Sequence, residues 1–250
     1  MRHSVELTLA RLAARQFLGS RRALWVLVLA AIPILLAFMM QAEAGGEVKE
    51  ALEDAADLFH GLIVSVLLPI VALVVGTSVF GAEVDDGTIT YVLGKPVPRW
   101  RIVITRIVVA GLLTAAVLVP TTLLSMVIAL RGIDAPGVPV GFTVAVAAGS
   151  FLYCALFVAL SLSTRRALVA GLAYVVVWES ALSNTFGGTR ALSVRHYTQS
   201  FAESWAGLEP GVINARLELG TAAVMAAVVA VLATLHSIRR LQRFEIGEAV

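Results

Sequence analysis

The sequence is poor in the residues that crosslink chains, hold metals or carry charge. It has one cysteine, Cys154, inside an apolar run. A lone thiol excludes an intramolecular disulfide, and its plainest role is that of a small core residue. The four histidines, His3, His60, His196 and His236, are scattered, with no pair at the spacing a structural metal site needs. Only 14% of the residues are charged, against about 25% in soluble domains. Catalytic signatures are missing as well: there is no G-x-S-x-G and no H-E-x-x-H. The stretch "LGKP" at Leu93–Pro96 ends like a phosphate-binding loop. It has Ile89 where that motif needs glycine and Pro96 where it needs Ser or Thr. The chain does not bind ATP by that route, so work that needs ATP would draw it from another polypeptide.

What is there is apolar. The hydrophobic fraction is 59% and the mean hydropathy +0.89 over 250 residues, which places the chain in a membrane and, by length, in a single domain, 1–250. Nothing in it points to nucleic acid. A helix crosses the hydrocarbon core with about 20 apolar residues. Six runs qualify: Ala23–Met40, Leu58–Phe80, Ile102–Leu130, Phe142–Leu162, Ala167–Phe186 and Leu219–His236. The expected fold is all-α, with six transmembrane helices, and with kinks at Pro33, Pro69 and Pro120. Fourteen of the 19 Lys and Arg residues fall on one side of this arrangement, near both termini, in the loop after the second run and in the turn at Arg165 and Arg166. The positive-inside rule then puts both termini and that loop in the cytoplasm. The first outside loop is acidic, with Glu43, Glu47, Glu50, Glu53, Asp54 and Asp57, in agreement.

Three segments outside the runs stand out. Residues 1–22 place Val5, Leu9, Leu12 and Phe17 near one helical face and Arg11, Arg15 and Arg22 on another, the pattern of an amphipathic helix lying on the inner leaflet. The same region could be read as a signal peptide ending at the A-x-A of Ala42–Ala44, but its apolar stretch is too long, so an uncleaved span is expected. Residues 188–218 mix Leu192, Val194, Tyr197, Phe201, Trp205 and Leu208 with glycine and proline. They suit short interfacial or re-entrant helices outside the cytoplasm, with Tyr197 and Trp205 at headgroup level.

The third segment, "FGAEVDDGTITYVLGKPVPRWRIVITR" from Phe80 to Arg106, interrupts the apolar chain with three acids followed by four basic residues. A short helix over 82–92 and a turn enforced by Gly94, Pro96 and Pro98 would make a compact cytoplasmic knob over 81–101. It suits a docking element for a cytoplasmic protein; the plainer reading is a solvated loop with snorkelling arginines. Glu179, in "YVVVWESALSN", is the acid deepest in an apolar run. A carboxylate at membrane depth marks a coupling or substrate-contact site, unless the run sits higher and Glu179 nears the outer interface.

The Phe80–Arg106 segment resembles the cytoplasmic stretch between the second and third spans of type-2 ATP-binding cassette exporter permeases, the small six-span kind. In that family an acid, Gly-Thr, a hydrophobic turn and Pro-x-x-Arg follow one another, and the matching residues are Glu83, Gly87, Thr88, Leu93, Pro96 and Arg99. Arg106 stands where the family often has lysine, and Pro98 where it often has Ser or Thr. "RALSVRHYTQSF" at Arg190–Phe201 resembles the family's outside stretch before the last span. The resemblance implies a permease with no cofactor of its own. It would pair with a second copy as a homodimer in the cell membrane. A separate ATPase subunit would bind the ATP and dock on the Glu83–Arg99 loop. Two other classes compete: a membrane anchor or sensor that transports nothing, and an intramembrane enzyme. Neither the cargo nor the direction of transport is legible.

Overall fold

A computed structural model describes residues 21–43, 48–85, 98–182, 187–207 and 217–243. Every element among them is a helix. These are α1 (Arg21–Glu43), α2 (Val48–Asp57), a π-helical stretch (Leu58–Leu67), α3 (Leu68–Asp85), α4 (Arg99–Ala129) and α5 (Gly137–Ser163). They continue with α6 (Ala167–Ala173), a second π-helical stretch (Tyr174–Leu182), a 3₁₀ turn (Gly187–Leu192), α7 (Val194–Ala206) and α8 (Leu219–Arg243). The expected surface helix at 1–22 lies almost wholly outside the described residues.

Among the described residues, five helical segments are long and apolar enough to cross a membrane: Leu24–Ala42, Val48–Val79, Arg99–Ala129, Gly137–Ser163 and Leu219–Arg243. Each corresponds to an expected run. The run expected at Ala167–Phe186 is represented by a shorter apolar helix, Ala167–Glu179, whose winding changes from α to π at Tyr174; residues 183–186 of the run lie outside the described residues. The second segment begins ten residues earlier than its apolar run. The acidic residues of α2 are helical and continuous with the span, with Ala55 and Ala56 buried and an exposed Lys49–Glu53 ion pair at 3.6 Å.

The first π stretch ends where the sequence requires a change of register. Leu68 N–H still reaches back five residues to the Ile63 carbonyl, and Pro69, with no N–H, follows it. Pro33 and Pro120 lie inside α1 and α4.

Helix α5 is the centre of the bundle. It packs against α3, α4, α7 and α8, while α1 lies on α4. In lipid no hydrophobic force presses helix on helix, so close packing of small residues must hold them. The glycines of α5 do this. A methyl on Gly137 would stand 2.7 Å from the Ala206 carbonyl oxygen, one on Gly141 would collide with the Trp205–Ala206 backbone, and one on Gly149 would stand 2.6 Å from Thr198 Oγ1. The stripe seats α7 antiparallel to α5, backbone to backbone at Gly137 and Gly141 and against the Thr198 side chain at Gly149. Gly207, at φ 63°, ends α7 in the left-handed conformation.

Outward faces are greasy. Leu24, Trp25, Leu27, Val28, Leu35, Phe38 and Met39 on α1 are exposed, as are Val224, Val228, Val231 and Leu232 on α8. Apolar patches of this extent have no place against water; they suit lipid.

Candidate functional site

Glu179 lies on the second π stretch and is 2% exposed. Its partners come from two elements. Tyr174 donates its phenol O–H to Glu179 Oε1 at 2.9 Å. The winding explains that bond. Residues five apart diverge by about 140° on an α-helix of 3.6 residues per turn, whereas the wider π turn, with its i→i+5 bonds, brings them to one side.

The remaining donors belong to the start of α7. Ser193 Oγ donates to Glu179 Oε2 at 2.5 Å, the Val194 backbone N–H donates to Oε1 at 3.0 Å, and the Arg195 backbone N–H also bonds the carboxylate. Ser193 is the N-cap of α7 and accepts from the His196 backbone N–H at 3.4 Å. It also meets His196 Nδ1 at 2.9 Å. Helix starts leave backbone N–H groups without intrahelical partners. Here the N–H groups of Val194, Arg195 and His196 are all met, two by Glu179 and one by Ser193. The carboxylate also sits at the positive end of the helix dipole. An ionised carboxylate has about four lone-pair sites, and four donors converge on Glu179. The arrangement can hold α7 to the π stretch; it leaves little acceptor capacity for a cargo.

Around this link the structure is closed. Tyr153 of α5, wholly buried, stands beside Glu179. Tyr197, expected at headgroup level, is instead fully buried and donates its O–H to the Ala191 carbonyl at 2.5 Å. Trp205 is half exposed and stacks on Phe201. Helix α7 also touches the first π stretch. That stretch carries His60, whose two ring nitrogens have no hydrogen-bond partner among the described residues.

The loop residues singled out in the sequence are only partly visible. Gly87, Thr88, Leu93 and Pro96 lie outside the described residues, and Glu83 falls in the last turn of α3. Arg99 opens α4, half-buried. Arg106 is buried inside the bundle, 4% exposed, and donates from Nη1 to the Val79 carbonyl at 2.5 Å. It pins the two helices that flank the loop to each other, one to two turns below the loop itself. Cys154 is the buried core residue expected, in contact with Thr114 Oγ1 at 3.3 Å. Buried span hydroxyls such as Thr121, Ser125, Ser150 and Ser237 bond carbonyls one turn back in their own helices. They are satisfied locally and build no site.

Of the side chains that bond Glu179, neither Tyr174 nor Ser193 was singled out in the sequence. Ser193 was findable: a serine before an amphipathic stretch is a helix-start signal. Tyr174 was not, because an α-helical period turns it away from Glu179.

A bundle of apolar helices with a greasy exterior, small-residue packing and one buried carboxylate link is a multi-pass membrane protein. The profile of the family described as ABC-2 family transporter protein matches residues 7–194, about three quarters of the chain, and the chain belongs to that family. It is thus a permease component of ATP-binding cassette transport, a class that carries cargo across membranes without being catalytic itself and that normally works with an ATPase subunit. No curated protein compared with the chain matches it.

Proposed function

We propose that the chain is the permease of an ABC-2 exporter, working as a homodimer driven by a separate ATPase subunit that binds the ATP. The observation that carries this reading is the family match over residues 7–194, which includes the acid–Gly-Thr–Pro-x-x-Arg loop. In this reading the protein has six spans. The one at Ala167–Phe186 is apolar along Ala167–Glu179 and reaches the far side through the residues after it. The basic asymmetry sets the orientation, with both termini and the 81–101 loop on the cytoplasmic side of the cell membrane and the first 22 residues along the inner leaflet.

Force enters at the loop. Glu83, Gly87, Thr88, Leu93, Pro96 and Arg99 form the surface the ATPase meets. Arg106, tied to Val79, makes α3 and α4 respond as one body. Glu179 then passes movement of the fifth span to α7, because its carboxylate holds the start of that helix. Its role is coupling rather than cargo contact, since its acceptor sites are already taken by Tyr174, Ser193, Val194 and Arg195.

The test uses Glu83→Ala, Gly87→Trp and Arg99→Ala. Each should keep normal membrane abundance but lose retained ATPase subunit or its stimulated hydrolysis. Three variants that keep partner, hydrolysis and transport at wild-type level would reduce the loop to a connector.

A further inference from the structure

Between α5, the start of the second π stretch and α8 lies a partly open groove of about 240 Å³. Leu156, Phe157, Leu160 and Tyr174 wall it, and Ser163 and His236 close one end, joined by an Oγ–Nε2 hydrogen bond of 2.9 Å. From Leu156 to Ser163 the groove follows α5 for about 10 Å at 1.5 Å per residue. One turn beyond His236, Arg240 Nε donates to the Leu162 carbonyl at 3.3 Å, tying α8 to the end of α5. Arg165, Arg166, Arg239 and Arg243 are exposed around the same end. The helices that carry or flank them hold no acid among their described residues. No acid occurs from Ala135 to Trp178, nor from Leu219 to Phe244.

We infer that this groove holds one acyl chain of an anionic phospholipid whose phosphate sits at the arginine end. Each half of the site fits that occupant. The walls are apolar, and elsewhere on the neighbouring helices Leu168, Val169 and Leu172 of α6 and Val228, Val231 and Leu232 of α8 are exposed apolar surface that suits lipid. The volume lies below the roughly 300–1,000 Å³ of pockets that enclose a whole drug-sized ligand, so it takes a chain rather than a compact cargo. The cationic end is where basic pockets between spans bind anionic headgroups. Ser163 and His236 place hydrogen-bonding groups between chain and headgroup. The occupant is a resident lipid that fills the seam between α5 and α8, distinct from exported cargo. The inference rests on the proposed orientation only for its leaflet, the cytoplasmic one. The groove and its chemistry do not depend on that orientation, which cysteine labelling tests separately.

The experiment delipidates the full-length protein in mild detergent. It then titrates dioleoyl phosphatidylglycerol, dioleoyl phosphatidylcholine and inorganic phosphate, read by native mass spectrometry and by thermal stability. One phosphatidylglycerol should be retained in preference to phosphatidylcholine, and phosphate alone should neither bind nor stabilise. Arg239→Gln and Arg240→Gln should each weaken phosphatidylglycerol about fivefold, the usual contribution of one basic residue near an anionic surface. They should leave phosphatidylcholine unchanged. Leu160→Trp, which fills the groove, should abolish retention, and Arg131→Gln, at the opposite end of the bundle, should change nothing. Equal retention of the two lipids, or arginine variants that bind phosphatidylglycerol normally, would overturn the proposal whether or not Leu160→Trp folds. So would phosphate binding as tightly as the lipid. Efficient crosslinking of Leu160→Cys between two copies, in a Cys154→Ala background, would show a second copy in the groove and overturn it as well.

Discussion

Replacing Val194 by proline removes one hydrogen bond from the Glu179 link. Val194 is the first residue of α7 after the N-cap Ser193, and proline is favoured there because that N–H has no intrahelical partner and its φ suits a helix. The residue before a proline must be extended, and Ser193 already is, at φ −108° and ψ 119°. What is lost is the Val194 N–H bond to Glu179 Oε1, at 3.0 Å and fully buried. A hydrogen bond to a neutral acceptor contributes about 1 kcal/mol, and one to a charged group about 1.5–3 kcal/mol. The new ring and the lost valine packing add their own cost, so the assay is a double-mutant cycle. Wild type, Val194→Pro, Glu179→Leu and the double variant are compared by thermal unfolding in detergent. With Glu179 replaced there is no carboxylate to lose, and the proline should cost about 1–3 kcal/mol less than it does in the wild type. A proline penalty equal in both backgrounds would mean that Glu179 does not hold the start of α7, and the coupling role assigned to it would fail.

Other perturbations probe the remaining contacts. Arg106→Met leaves the Val79 carbonyl without its buried donor. It should lower stability by about 1–3 kcal/mol and reduce ATPase stimulation, measured on the same preparation; an unchanged melting temperature would remove the pin. Gly141→Leu drives a side chain into the Ala206 backbone and should displace α7, so that a cysteine at Gly207 changes its maleimide labelling rate while membrane abundance is kept. Cys154 is fully buried and should resist maleimide until the protein is unfolded. With Cys154 replaced, cysteines at Glu47 and Gly207 should label from outside intact cells and one at Asp86 should not; outside labelling at 86 would invert the orientation.

The helices that match long apolar runs could be read from the sequence, because lipid imposes one simple requirement, some 20 apolar residues per crossing. Departures arose where a second requirement intervened. The α2 residues Val48–Asp57 are charged enough to read as loop, yet Leu52, Ala55 and Ala56 face inward at helical spacing and continue the span. Arg106 stood out in the sequence as the last basic residue of the loop segment, but the bundle supplies a carbonyl for it at Val79. Glu179 was conspicuous as a lone acid. Its partners were hidden twice over. The π winding that brings in Tyr174 breaks the α-helical period, and Ser193 and Val194 arrive through a turn of the chain that periodicity does not specify. Tyr197 looked like an interfacial anchor by its chemistry, but the Ala191 carbonyl holds it inside.

In the proposed function the chain moves cargo with force supplied by another polypeptide. The most direct measurement purifies the tagged full-length protein from its own membranes in mild detergent and records the ATP hydrolysis of the eluate, beside Gly87→Trp and an unrelated tagged membrane protein. Wild type should carry an ATPase subunit and hydrolyse ATP well above the unrelated control, while Gly87→Trp, purified in equal amount, should fall toward that control. Wild-type eluate with no hydrolysis above the control, or Gly87→Trp eluate as active as wild type, would contradict the account.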